Sequence, residues 1–176
     1  LIVSGDIGCY TLGVMPPYIA MDTCVCMGAS IGIGLGMRRV LPEEQAKRVV
    51  SVIGDSTFVH SGLTGIAEMV YNRPDTGHVV LILDNGITAM TGMQEHAGTG
   101  RMLDHSLAPS EKVSFEDTCK AMGVDQVEVI DPIKDKELLE ETLKAMLESQ
   151  KLCVLIARKP CILSIGTITK SQKKSA

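Results

Sequence analysis

The stretch "VVSVIGDSTFVHSG", residues 49–62, decides how the chain is read. Val49 to Ile53 is an apolar, β-branched run, the composition of a strand buried on both faces. Gly54 closes the run. From Thr57 to Asn72 the apolar positions Leu63, Ile66, Ala67 and Val70 recur at helical spacing. Asp55 therefore stands at a seam, between the C-terminal end of a strand and the first turn of a helix, beside the hydroxyls of Ser56 and Thr57. A metal, a phosphate or a simple helix cap would each account for an acid there.

The same alternation runs along the whole chain. Residues 1–4, 78–84, 126–130 and 152–157 read as further strands, rich in Val, Ile and Leu. Gly28–Val40, Ser114–Met122 and Asp135–Gln150 read as helices. Gly28–Val40 carries no charge before Arg38 and is expected to be buried. Ser114 with Asp117 three residues on resembles a capping box, and Gly123 is a natural stop. In Asp135–Gln150 the apolar side is expected to hold Leu138, Leu139, Leu143, Ala145, Met146 and Leu147. This order predicts an α/β fold, a three-layer sandwich around a mostly parallel sheet. In such sheets ligands bind beyond the carboxyl ends of the strands. Three strand ends carry unusual text: "GDIGCYTLG", "GDSTFVHSG" and "DNGITAMTGMQEHAGTG". The last opens a long connection, 85–113, of the length expected for a binding loop or lid.

Composition narrows the class. The 176 residues suffice for one domain with a core, and 45% of them are hydrophobic, which excludes a disordered chain. The net charge is −4 and the basic residues form no stripe, so nucleic acid is not an expected partner. The lysines of "KSQKKSA" read as a solvated end. No span of about 20 apolar residues is present, so no membrane helix is expected; the longest charge-free stretch, 23–37, is rich in glycine. Cys9, Cys24, Cys26, Cys119, Cys153 and Cys161 include no C-x-x-C, and buried thiols in a reducing cytoplasm are the expectation. The chain starts at Leu1, inside a strand, which reads as part of something longer.

Asp55 and Asn85 each follow a buried strand. If those strands are neighbours, a carboxylate, an amide oxygen and a nearby carbonyl converge as an all-oxygen set suited to Mg²⁺. Ser56 and Thr57, at a helix start, suit a phosphate, and an acid beside a phosphate needs a cation between them. A metal that grips a diphosphate meets both demands. The capping role of Asp55 remains the alternative.

The pattern G-D-(G/S), a gap, then (N/D)-N reads here as "GDS" at 54–56 and "DN" at 84–85. It resembles the signature of thiamine diphosphate enzymes. With "GDIGCYTLG", "MGASIGIG" and "LDNGITAMTG", the chain resembles the C-terminal thiamine-diphosphate domain of the large subunit of indolepyruvate ferredoxin oxidoreductases. The resemblance is strong from Ser4 to Gly100 and looser beyond. It implies that Asp55, the Asn85 side chain and the Ile87 carbonyl hold Mg²⁺. It implies that Gly54, Ser56 and Thr57 line the diphosphate, and that Gly28, Ala29 and Ser30 lie beside the cofactor. Met27 takes the place of the bulky apolar residue that keeps the cofactor bent, with the Val25 carbonyl and the Met27 N–H at the pyrimidine edge. Gly8 and Cys9 would approach the thiazolium or the substrate. Ser56 in place of glycine, and Asp84 in place of asparagine, depart from the wider superfamily and suit the oxidoreductase branch.

By resemblance the parent enzyme decarboxylates aryl pyruvates oxidatively, with coenzyme A as acyl acceptor and ferredoxin as electron acceptor through [4Fe-4S] clusters. The cluster cysteines, the pyrimidine-binding domain with its activating glutamate and the second subunit are not in this chain. The expectation is a thiamine-diphosphate domain over 1–160, a tail over 161–176, little turnover alone, and self-association through an uncovered face. A non-redox decarboxylase or acetolactate-synthase-like subunit and a non-catalytic α/β binding module are the alternatives. Among single residues, His60 reads as a polar helix residue or a substrate contact, and Cys9 is a weak candidate nucleophile. His96 reads as a gate or a surface histidine, and Glu95 and Asp104 as solvated loop charges. Thr88, Thr91 and Gln94 would bond the cofactor or order the loop.

Overall fold

The computed structural model describes residues 1–102 and 108–164. Asp104 and most of the 161–176 tail, "KSQKKSA" included, fall outside the described residues. All five anticipated strands form. They are β1 (Ile2–Gly5), β3 (Val49–Gly54), β4 (His78–Asp84), β5 (Gln126–Ile130) and β6 (Leu152–Arg158). A sixth, β2 (Thr23–Cys24), is too short to leave a periodic trace in the sequence. The order across the sheet is β2-β1-β3-β4-β6-β5, and every pairing is parallel.

The chain moves outward from β1 to β2 and then returns past β1 to β3. The crevice at the carboxyl ends of β1 and β3 is thus a topological switch point, where such sheets hold ligands. On one face lie helices α1 (Ala29–Val40), α4 (Leu63–Tyr71) and α5 (Phe115–Met122), and α6 (Lys136–Glu148) covers the other. The short α2 (Glu43–Ala46) leads into β3. The side-chain alternation of the central strands separates the two cores. Val80, Ile82, Leu152, Val154 and Ile156 face the first with Ile31, Ile66 and Phe58. Val79, Cys153 and Leu155 face the second with Met146.

Some details differ from the sequence reading. Helix α1 is buried only along Ser30, Ile31, Gly34, Leu35 and Arg38, because its other side faces solvent. Strand β5 closes an edge of the sheet, and its Glu128 and Val129 are exposed. Leu138 and Ala145 of α6 point away from the core. The anticipated 57–72 helix begins at Asp55 as α3 (Asp55–Thr57), widens into a π turn over Phe58–Gly62 and continues as α4. Ser114 caps α5 by accepting from the Asp117 N–H at 3.1 Å, and the helix stops at Gly123. Cys119 and Cys153 are buried, but Cys9, Cys24 and Cys26 are exposed; Cys24 and Cys26 lie at β2, an edge strand of two residues. Among the described residues, no helix is long and apolar enough to cross a membrane.

Candidate functional site

Strand register brings the site together. Gly54 of β3 pairs with Leu83 of β4, so Asp55 and Asp84 leave adjacent strand ends. The Asp55 carboxylate is buried, at 3% exposure. Its Oδ1 accepts from the Ser56 N–H at 2.8 Å, and its Oδ2 accepts from the Gly86 N–H at 2.7 Å. The second bond ties the peptide just beyond Asn85 to the carboxylate. Asn85 Oδ1 accepts from the Ile87 N–H at 3.0 Å and folds the chain back on itself. Asp55, Asn85 and Ile87 line one cavity of about 460 Å³.

That cavity also takes in Gly8, Cys9, Met27 and Gly54 on one side and Ser56, Thr57 and Thr88 on the other. Its floor is apolar, with Leu81, Leu83, Leu139 and Ala157. Of the sequence candidates, Val25, Gly28, Ala29 and Ser30 do not line it. Val25 is exposed, whereas Ser30 is fully buried with its carbonyl accepting from the Ser4 and Ser51 hydroxyls. Gly28 has a left-handed backbone, φ 87°, and a Cβ there would stand 2.3 Å from Ser61 Oγ. Its conformation serves the entry into α1.

Four side chains that sequence reasoning passed over or misplaced shape this site. Asp6, fully buried at the end of β1, accepts from the Gly28 N–H at 2.9 Å and the Ser30 N–H at 3.2 Å. It closes the open amides of the α1 start, which the helix itself leaves without partners. Tyr10 presents its hydroxyl to the Gly54 N–H at 2.9 Å. β1 ends at Gly5, so no strand backbone is there to do it. A Cβ on Gly8 would stand 2.5 Å from the Tyr10 ring, so only glycine lets the ring lie this close. Burial, helped by nearby Asp6, pushes the Tyr10 phenol well above its usual range and keeps it neutral.

The other two correct the reading of the long loop. His96 is not a surface residue: it is buried, with Nε2 3.3 Å from Asp55 Oδ2. Its Nδ1 accepts from the Gly98 N–H at 3.1 Å, which leaves the proton on Nε2 to be donated toward Asp55. Glu95 is 8% exposed rather than solvated, and its Oε1 accepts from Arg101 Nε at 2.8 Å. Thr88 and Gln94 exchange backbone hydrogen bonds, and Thr91 bonds the Gln94 side chain, so these residues order the loop. His60 is exposed on the π turn, and Cys9 lines the first cavity from the 3₁₀ turn Cys9–Val14.

Asp84 sits behind Asp55. Burial pushes its carboxyl up and the neighbouring Asp55 adds to this, while Arg158, donating from Nε at 2.6 Å, opposes both. Arg158 also reaches Glu116 at 2.6 Å, and these bonds, Glu116 first, hold its guanidinium charged. The arrangement sets a buried carboxylate on the same cavity as Asn85 and Ile87. Among the described residues, no group of three or more His, Cys, Asp or Glu is placed to hold a metal by itself. Carboxylate and amide oxygens are hard donors, the type whose shell a phosphate and water complete around a divalent cation.

Comparison with known proteins agrees with this geometry. The chain is 45% identical over 98% of its length to indolepyruvate oxidoreductase subunit IorA of Thermococcus kodakarensis. It is 41% identical over 98% to that of Pyrococcus abyssi and 40% identical over 96% to that of Methanothermobacter marburgensis. It spans only 28% of the length of the first two relatives and 26% of the third. Its fold matches a chain of 2-oxoglutarate:ferredoxin oxidoreductase from Magnetococcus marinus with TM-score 0.71 and 17% identity, over 91% of this chain and 54% of that one. It also matches benzoylformate decarboxylase from Polynucleobacter necessarius with TM-score 0.56 and 15% identity, over 92% and 31%. Residues 6–157, which run from the Asp6 clasp through both strand ends of the cavity, match the family described as thiamine pyrophosphate enzyme, C-terminal TPP binding domain, and the chain belongs to that family.

Proposed function

We propose that this chain is the diphosphate-holding domain of an oxidoreductase that oxidatively decarboxylates aryl 2-oxo acids such as indolepyruvate. The identity to indolepyruvate oxidoreductase subunits supports the substrate class. One observation carries the cofactor reading: adjacent parallel strands deliver Asp55 and Asn85 to one cavity, with a hydrogen bond from Gly86 locking the two strand ends together.

In this reading an Asp55 oxygen, the Asn85 amide oxygen and the Ile87 carbonyl hold Mg²⁺, and Gly54, Ser56 and Thr57 meet the diphosphate. Thiamine diphosphate supplies the electron sink that a 2-oxo acid needs to lose carbon dioxide. The protein's part is placement and charge. His96 donates from Nε2 toward Asp55 and fixes the carboxylate's orientation. Tyr10 fixes the strand end just before it. Met27, half-exposed at the cavity wall, offers a soft apolar surface for the bend of the cofactor, with Val25, Gly28 and Ala29 beside it. Gly8 and Cys9 line the same cavity and would approach the reacting end of the cofactor.

The pyrimidine-binding domain, a second subunit, [4Fe-4S] clusters, coenzyme A and ferredoxin complete the proposed enzyme, which would work in the cytoplasm. The chain alone would bind the cofactor weakly and turn over little. Non-redox decarboxylation is supported by a fold neighbour alone.

Calorimetric titration with thiamine diphosphate, with and without Mg²⁺, tests the reading on the assembled protein. Binding is expected to need Mg²⁺ and to fall by about a hundredfold or more in Asp55→Ala, as for loss of a charged ligand. Binding indifferent to both Mg²⁺ and Asp55 would overturn the metal-bridged reading.

A further inference from the structure

A second cavity, of about 650 Å³, adjoins the first and shares Met27, Ser56, Thr88 and Thr91 with it. Glu95 lines it. One oxygen of this carboxylate is held by Arg101, and the other, Oε2, is buried with no hydrogen-bond partner. A bare, desolvated carboxylate oxygen is costly and calls for a donor. The last torsion of a glutamate is broad, so a small turn brings this oxygen to the cavity surface.

The walls say which donor suits it. Among the described residues, Glu95 and Glu111 bring two negative charges against the single positive charge of Arg101. The two histidines do not reverse this. His96 is turned to Asp55 through Nε2 and to the Gly98 N–H through Nδ1, and His60 lies out at the exposed π turn. The carboxylate end of a 2-oxo acid is repelled here, and a neutral or cationic N–H is attracted. Met27 and Met102 stand half-exposed on the same walls, and their thioethers suit the edge or face of an aromatic ring.

We propose that the second cavity receives the side chain of the 2-oxo acid, and that Glu95 Oε2 accepts a hydrogen bond from a ring N–H. Glu95 is thus the residue that reads the ring nitrogen of a nitrogen-bearing aryl group. This rests on the first cavity being the cofactor cleft, since the shared wall is what sets the two groups side by side.

The test compares kcat/KM of the assembled holoenzyme for indole-3-pyruvate, 1-methylindole-3-pyruvate and phenylpyruvate. In the unaltered enzyme, capping the ring nitrogen is expected to cost about tenfold or more, as for a site left with an unpaired polar group. In Glu95→Gln the amide oxygen keeps Arg101 and the NH₂ replaces the free acceptor. There the penalty of methylation is expected to shrink to about twofold, with phenylpyruvate changed by less than about threefold. Equal penalties in the two proteins would overturn the proposal, as would an equal loss on all three substrates. The methylated substrate alone, on the unaltered enzyme, suffices if the variant fails to fold: no penalty there overturns it too. Failure of the cofactor reading is seen separately, as absence of Mg²⁺-dependent thiamine diphosphate binding in the unaltered protein.

Discussion

Single hydroxyls and carboxylates decide the geometry at the mouth of β3. Tyr10 gives the Gly54 N–H its partner, one residue before Asp55. Tyr10→Phe keeps the ring on Gly8 but leaves that amide bare, at a cost of about 1–3 kcal/mol. The expected outcome is a lower melting midpoint and, separately, a weaker Mg²⁺ requirement curve for thiamine diphosphate. A fall in melting midpoint with the Mg²⁺ midpoint unmoved would make Tyr10 structural only. The places of Asp55, Ser56 and Asn85, just past strand ends, were legible in the sequence because strands announce themselves through apolar runs. Tyr10, Asp6, Glu95 and His96 were not. Each lies outside the strands and the long helices, and whether such a side chain is buried depends on what the tertiary fold lays over it. A buried acid such as Asp6 leaves one clue, its place directly after a strand and before a glycine-bearing turn, and that clue does not separate it from a surface turn residue.

At the scale of elements, the starts of β4 and α1 are joined by a buried polar chain. The Ser51 hydroxyl donates to the Ser30 carbonyl at 2.9 Å, so His78 Nε2, 2.8 Å away, carries the proton given to Ser51. His78 Nδ1 has no partner, and burial, with nearby Arg38 adding to it, pulls the imidazole down to about 3. The unfolded chain takes up this proton below its ordinary value of about 6.5, and the folded one does not until about 3. The stability tied to neutral His78 is therefore complete above about pH 6.5 and drains away as the pH falls, by at most about 1.4 kcal/mol per unit. Urea denaturation at about pH 7.5 and about pH 5 should show the drop, and His78→Gln should lessen it. An unchanged pH slope in that variant would exclude His78 as the source. The strands and long helices were readable from their periods, but β2, the 3₁₀ turn after Gly8 and the π turn were not. Two residues of strand and one widened turn carry no period, and tertiary contacts alone create them.

Across the whole molecule, apolar side chains are unevenly covered. Leu12, Met15, Tyr18 and Ile19 are all exposed in the connection that leads into β2, and Val25 is exposed just after it. A surface of this kind, on a chain that spans about a quarter of its relatives' length, is expected to be a contact surface. Sedimentation of the chain should reveal concentration-dependent association, and Tyr18→Ser with Ile19→Ser should weaken it several-fold in dissociation constant. Association unaltered by the pair would place the contact elsewhere. The same connection is held to the sheet by little backbone: β2 meets β1 at two positions, Ser4 with Thr23 and Gly5 with Cys24. The central pair is joined along seven, from His78 with Leu152 to Asp84 with Arg158. Amide protons in β4 and β6 will thus be the last to exchange with deuterated solvent, while those from Thr11 to Met27 escape through brief local openings. Asp6 is the clasp between these regimes, since its carboxylate fastens Gly28 and Ser30 from across the crevice. Half of the ligand cleft is thereby a stiff wall and half a breathing one, and a molecule bridging the two would quieten the second far more than the first.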